Sequence, residues 1–324
     1  MPSPENDGNR KRFDPEAVWG VITVYLDYEA ADRALEACFA QTYPLRGMWV
    51  IDNSPTPDRE QQQAWDGRFG PWLQRLDHPE NIGISGALRR AFALAREQSV
   101  DWLWTLDQDS EPAPDCLEVL IQSGRHHELR PVLGPLITET PTGSRHLGSR
   151  FDGYRYRQLK TLEDGKPSTV CDLLITAGML IPSPLFQVWE GPEEWMFIDG
   201  VDTRICEEAQ RRGHPLILEH RAEMSHRFGQ PKIHREGRSP LHEYSPLRCF
   251  FIGRNHTWLE WNRARGKQKA RTLVHRWKVA LTFARNAFRV GSAHPWQCSW
   301  AVFTGTLYGF LGIRRTEAAR RKLT

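Results

Sequence analysis

An α/β fold built on a mainly parallel sheet with flanking helices is what the sequence predicts, and three observations predict it. Four apolar runs recur in the first third of the 324 residues: Trp19 to Leu26, Met48 to Ile51, Leu73 to Leu76 and Trp102 to Leu106. Segments of helical periodicity separate the first pair and the last pair. The polar strand ends at Tyr25, Asp52, Asp77 and Asp107 follow one another at 25 to 30 residues, the length of a βαβ unit. A crossover of that length returns the chain to begin a parallel neighbour.

Each element has its own reason. Between the first two runs, Glu29 to Gln41 puts Ala31, Leu35, Cys38 and Phe39 on one helical face. After the third run, Ser85 to Gln98 does the same with Leu88, Ala91, Phe92 and Ala95, and Ser85 is the expected N-cap. The fourth run stops abruptly at Asp107-Gln108-Asp109. Pro, Gly and basic residues from Pro131 to Lys166 weaken the pattern and predict an irregular excursion. Leu173 to Ile181 reads as a strand interrupted by Thr176-Ala177-Gly178, a small-residue step that admits close approach of a ligand or backbone. Trp195 to Asp202 then leads into a helix through Arg212, followed by a short strand at Leu216 to Leu218 and by His226-Arg227-Phe228-Gly229. The expected organisation is a disordered tail at 1–14, a catalytic domain at 15–255 and a basic, aromatic helical region at 256–324.

Composition narrows the class. Hydrophobic residues at 40% support a real core. Met1 to Arg12 is polar and charged, unlike a secretory signal, so a cytoplasmic location is expected. Six scattered cysteines form no Cys-x-x-Cys pair, which points to buried free thiols and away from zinc or redox chemistry. Net charge is +3, but from Arg263 onward 14 Lys or Arg face one acid, Glu317, leaving a net −10 on the rest. A basic end on an acidic body implies a second surface with an anionic partner.

In a parallel sheet the ligand crevice lies beyond the carboxyl ends of the strands, and those ends carry Asp52, Asn53, Asn81, Asp107 and Asp109. Two carboxylates at one strand end offer the hard oxygen ligands that Mg²⁺ or Mn²⁺ prefers. Each group also has a structural reading. Asp52-Asn53-Ser54-Pro55 can be a turn, Asn81-Ile82-Gly83 a loop and helix cap, Asp199 and Asp202 the acidic start of a helix, and His226 a core histidine.

Taken together and in order, these stretches resemble a known family. Val50-Ile51-Asp52-Asn53-Ser54, Asn81-Ile82-Gly83-Ile84-Ser85-Gly86, Leu106-Asp107-Gln108-Asp109-Ser110, Phe197-Ile198-Asp199-Gly200-Val201-Asp202-Thr203 and His226-Arg227-Phe228-Gly229 are similar to motifs of the family 2 glycosyltransferases of GT-A fold. The resemblance covers roughly Val18 to Arg254 and is greatest to bacterial rhamnosyltransferases. It implies a nucleotide-diphosphate sugar donor, dTDP-L-rhamnose by the nearest group, and inversion at the anomeric carbon. Thr23, Tyr25, Asp52, Asn53, Asn81 and Gly83 would then line the donor site, with Asp52 accepting from the base ring. Asp107 would face the ribose or sugar, and Asp109 and His226 would hold Mg²⁺ or Mn²⁺. Asp202 is the expected general base and Asp199 its competitor. The family's acid before the base is replaced here by Val201, and its Arg six residues after the base by Glu208.

Residues 263–289 carry nine of those 14 cations interleaved with Leu273, Trp277, Leu281, Phe283 and Phe288. This pattern fits an amphipathic helix lying on an anionic membrane surface. Residues 290–313 contain no Asp, Glu, Lys or Arg, yet hold His294, Pro295, Gln297 and four glycines, so an interfacial segment or helix packing is expected over a span. The acceptor implied is a lipid-linked glycan or polysaccharide reached from the cytoplasmic face, and no nucleic acid is expected. Two rivals remain. A haloacid dehalogenase-type phosphohydrolase also uses Asp-x-Asp, but has Thr or Val where Glu111 stands. A non-catalytic nucleotide-sugar-binding protein would keep the pocket without turnover.

Overall fold

The computed structural model describes residues 16–140, 142–162, 165–227, 232 and 241–314. The expected tail at 1–14, and Phe228 and Gly229 of the last motif, lie outside the described residues. In chain order the elements are β1 (Val18–Val24), α1 (Tyr28–Phe39), β2 (Gly47–Asp52), α2 (Arg59–Phe69), β3 (Leu73–Asp77), α3 (Gly83–Glu97), β4 (Trp102–Asp107), β5 (Ser110–Pro112) and α4 (Cys116–Arg125). Then follow β6 (Val132–Glu139), β7 (Arg145–His146), β8 (Ser149–Phe151), β9 (Tyr156–Gln158), β10 (Ser168–Cys171), β11 (Met179–Pro182), α5 (Ser183–Val188), α6 (Val201–Arg211) and β12 (Leu216–His226). Helices α7 (Pro246–Arg263), α8 (Gln268–Arg289) and α9 (Pro295–Leu311) complete the described chain.

The main sheet runs β10-β12-β6-β11-β4-β1-β2-β3. Its β4-β1-β2-β3 half is parallel, as the βαβ spacing requires, with Thr23 beside Asp107 and Val24 beside Asp52. Alternation along β1 fills two cores: Trp19 and Val21 pack on the α3 face, while Val18, Ile22 and Val24 pack on the α1 face. Trp19 and Trp49 stack with ring centroids 4.5 Å apart, anchoring neighbouring strands on the same face. All six cysteines are buried and free.

Three expectations need correction. Residues 131–166 are not an irregular excursion throughout, because β6 is an eight-residue strand between β12 and β11. Pro135 disguised it. This residue pairs with Glu219 where the β12 register jumps to Glu223, and that irregularity accommodates a missing ladder donor. Likewise the Leu173 to Ile181 run is strand only from Met179, and a separate strand occupies Ser168–Cys171. Gly178 turns the chain at φ +80°, and a Cβ there would stand 2.7 Å from Pro135 Cγ, so the close approach is to protein. Finally, α3 begins at Gly83, and Ser85 caps nothing; its hydroxyl donates to the Glu193 carbonyl at 2.7 Å.

The C-terminal helices form a layer with its own core of Phe250, Phe251, Ala280, Ala284, Cys298, Ala301 and Val302. Glycines let α9 approach α7 at backbone distance. A Cβ at Gly305 would meet the Phe250 carbonyl at 2.2 Å, and one at Gly253 the Val302 carbonyl at 2.5 Å. A division after residue 255 would therefore cut α7 in mid-helix. No helix among the described residues is long and apolar enough to cross a membrane.

Candidate active site and metal centre

The candidate residues gather where β1, β2 and β4 end. Asp107 closes β4, and its backbone N–H donates to Ser110 Oγ at 3.1 Å, turning the chain sharply through Gln108 and Asp109 into β5. Strand β5 pairs antiparallel with β12, placing His226 directly across from Ser110. That register brings a histidine more than a hundred residues away to the carboxylate pair. His226 Nδ1 stands 3.3 Å from Asp109 Oδ1, and Nε2 stands 3.8 Å from Asp107 Oδ2. Each of the three offers a ligand atom within 4.8 Å of the others, a spacing that one divalent cation can bridge. Two carboxylates and one imidazole are a donor set that a divalent metal ion can accept.

Electrostatics supports the fit. Burial pushes the Asp109 carboxyl up to about 6, with Asp107 adding to the rise and His226 opposing it. A desolvated acid beside a second acid is the environment a bound cation relieves. His146 on β7, passed over in the sequence because it lies in the weakly patterned excursion, is also near. Burial holds its pKa down at about 4, and His226 pushes the same way.

The residues that the motif resemblance assigns to the donor lie at the neighbouring strand ends and the loops that follow them. Thr23 is nearly buried and Tyr25 is exposed, with the Tyr25 N–H donating to Gln108 Oε1 at 2.7 Å, which ties the β1 and β4 loops together. Asp52 is fully buried. Its carboxylate accepts from Tyr28 Oη, Gln62 Nε2 and the Ser54 N–H at 2.7, 3.0 and 2.9 Å. Any contact from Asp52 to a base ring must therefore share or displace one of these bonds. Asn53 is buried, and its Oδ1 accepts from the Ile82 N–H. Asn81 sits at φ +52°, with its own Oδ1 accepting from the Gly83 N–H at 3.0 Å. Gly83, at φ +71°, has no room for a side chain because a Cβ would stand 2.4 Å from the Phe197 carbonyl.

That carbonyl belongs to the loop that presents the candidate bases. Phe197, Asp199 and Gly200 all have positive φ, at +60°, +63° and +76°, a strained run for two non-glycine residues. Asn255 on α7 holds it: its Nδ2 donates to the carbonyls of Met196, Ile198 and Asp199 at 2.8, 2.9 and 2.9 Å. Asp202 then opens the first turn of α6. Burial raises its carboxyl to about 6; Asp199 and Asp107 add to the rise, and the Thr203 N–H opposes it. Asp199 is differently placed, since Arg248 Nε donates to its Oδ2 and Nη2 to its Oδ1, both at 3.2 Å. Neither Asn255 nor Arg248 carries a motif in the sequence. Only the packing of α7 reveals them.

Residues 21–174 match the family model described as Glycosyl transferase family 2. Over that stretch, a little under half of the 324 residues, the chain is similar to that family. The fold is GT-A: a crystal structure of GalNAc-T7 with UDP, GalNAc and Mn²⁺ superposes with TM-score 0.57 at 13% identity, covering 89% of this chain and 54% of that one. A crystal structure of S. aureus TarS is similar with TM-score 0.50 at 11% identity, covering 84% of this chain and 43% of that one. The chain thus spans about half the length of these structures. At such identities the likeness concerns the fold. No curated protein sequence matches the chain.

Proposed function

We propose that the protein is a metal-dependent, inverting glycosyltransferase that moves a sugar from a nucleoside diphosphate to an acceptor hydroxyl. The observation that carries the proposal is the convergence of Asp107, Asp109 and His226 in a chain similar to the family 2 glycosyltransferases. Asp109 and His226 would hold the cation, which when bound neutralises the charge of the diphosphate leaving group as a Lewis acid. Asp107 orients the ribose or sugar, and the β1 and β2 ends at Thr23, Tyr25, Asp52 and Asn53, with Asn81 and Gly83, receive the nucleotide.

Inversion needs a base on the face opposite the leaving group. Asp202 takes that role. Its raised pKa places it nearer neutrality than an ordinary carboxylate, which strengthens it as a proton acceptor while leaving it ionised at pH 7. Asp199 is set aside as base because aligning it with the acid before the base would put Gly200 at the base position.

The motif resemblance supports L-rhamnose from dTDP-L-rhamnose as donor and a lipid-linked glycan or polysaccharide as acceptor. A membrane-side location fits the helical layer. Residues 246–314 hold 12 Lys or Arg, of which Arg254 and Arg276 are buried, and one acid, Glu260, which is also buried. Trp296 and Trp300 stand out at 77% and 73% exposure, and Trp296 meets the exposed Phe288 edge-on with ring centroids 4.9 Å apart. Exposed aromatic rings in a basic helical layer suit the boundary of an anionic bilayer on the cytoplasmic side.

Thermal-shift screening against sugar nucleotides with and without Mn²⁺ tests the proposal. A ligand that binds the native state raises its melting temperature. A rise with a sugar nucleotide that depends on Mn²⁺ is expected, and a melt unmoved by every sugar nucleotide would overturn it. Binding without hydrolysis or transfer would favour a non-catalytic receptor.

A further inference from the structure

Four carboxylates, Asp107, Asp109, Asp199 and Asp202, are gathered at the mouth of this site. The proposed donor is itself an anion. A cation supplied by the chain would have to meet the diphosphate, and Arg248 is placed to do so. Its Cα is fixed in the first turn of α7, where the Ser245 side chain accepts from the Arg248 N–H at 3.2 Å. Its guanidinium lies over the Tyr244 ring, 5.1 Å from the centroid. The pair it makes with Asp199 is asymmetric. The Asp199 side chain is 14% exposed and the Arg248 side chain 46% exposed, so the arginine covers the acid and keeps the larger share of its own side chain in water. Among the described residues only Nε and Nη2 are engaged with a carboxylate.

We propose that Arg248 binds the donor's diphosphate and that Asp199 holds it in reserve until the donor arrives. The inference rests on the sugar-nucleotide reading above and adds a residue and an order of events to it. In the free protein the pair is internally neutral, which stops a lone guanidinium from capturing Asp107 or Asp202. Arrival of a diphosphate offers the planar guanidinium a second anion with matching fork geometry, and the cost of uncovering the largely buried Asp199 makes the two anions competitors. Asp199 is therefore a competitor for Arg248, and the two residues should affect diphosphate binding with opposite sign.

Isothermal titration with Mn²⁺ present tests this, using dTDP and UDP, each against its nucleoside monophosphate, on the full chain. R248A should weaken diphosphate binding at least tenfold and change monophosphate binding less than twofold, with R248K in between. D199N should tighten diphosphate binding about threefold or more. Far-ultraviolet circular dichroism checks that each variant is folded. An unchanged ratio of diphosphate to monophosphate affinity in R248A would overturn the assignment alone. Weakening by D199N to the same degree as R248A would also overturn it, since the pair would then be a structural tie. A wild-type protein that binds neither dTDP nor UDP would instead overturn the sugar-nucleotide reading and take this assignment with it.

Discussion

Replacing Asp109 with Asn should stabilise the metal-free protein and abolish its response to metal. Burial and the neighbouring Asp107 raise the Asp109 carboxyl from 3.8 to about 6. An acid whose folded pKa is raised contributes stability at low pH and loses it as pH rises through the folded value. For Asp109 that loss falls between about pH 4 and pH 6. At 1.36 kcal/mol per pKa unit, the ionised carboxylate costs at most about 3 kcal/mol at pH 7.5. Asparagine keeps the shape without the charge, so D109N should recover up to that amount. With roughly 2.1 cal/mol/K of unfolding entropy per residue, the gain amounts to about 4 °C in Tm for a chain of this length. Mn²⁺ at a hundredfold excess over its Kd should add about 2.7 kcal/mol to the wild type and nothing to the variant. The assay is a melting curve at pH 5 and pH 7.5 with and without Mn²⁺. A D109N protein that melts lower than wild type at pH 7.5, or that still responds to Mn²⁺, would refute the reasoning.

Three further outcomes are expected. D202N should lose at least a hundredfold in kcat while keeping donor affinity, and the wild-type rate should rise with pH through about 6 as Asp202 ionises; a D202N rate near wild type would remove it as the base. G305A forces a Cβ against the Phe250 carbonyl and should cost about 1–3 kcal/mol by urea denaturation; an unchanged midpoint would mean that α7 and α9 separate easily. Binding to vesicles containing phosphatidylserine should fall when Trp296 and Trp300 are both changed to Ala and when salt is raised, as centrifugation would show; equal binding to neutral vesicles would contradict an anionic surface.

Much of the parallel half was legible because its signals are local. Apolar runs of strand length, one helical face between them and acids at their ends require only a few consecutive residues to read. The metal group was partly legible for the same reason, since Asp107 and Asp109 share one strand end. His226 entered only through motif order; what brings it there is the pairing of β12 with β5, a long-range register that no local pattern encodes. Strand β6 was hidden by Pro135, whose local meaning as a breaker is overridden by the irregularity in β12. The α7 contributions were invisible for a further reason. Asn255 and Arg248 act on the 196–200 loop through tertiary packing, and neither residue type nor spacing announces such a role. Conversely, the basic and aromatic character of 263–289 was plain in sequence, whereas the glycine-mediated packing of α9 on α7 required the structure.

The central claim is that this chain consumes a sugar nucleotide at a metal centre built on Asp109 and His226. Release of nucleoside diphosphate from dTDP-L-rhamnose and other sugar nucleotides, followed with Mn²⁺ or with EDTA, measures it directly. Release that requires Mn²⁺, stops with EDTA and is absent in D109N is the predicted result. Release unaffected by EDTA, or intact sugar nucleotides under every condition with a folded protein, would contradict the account.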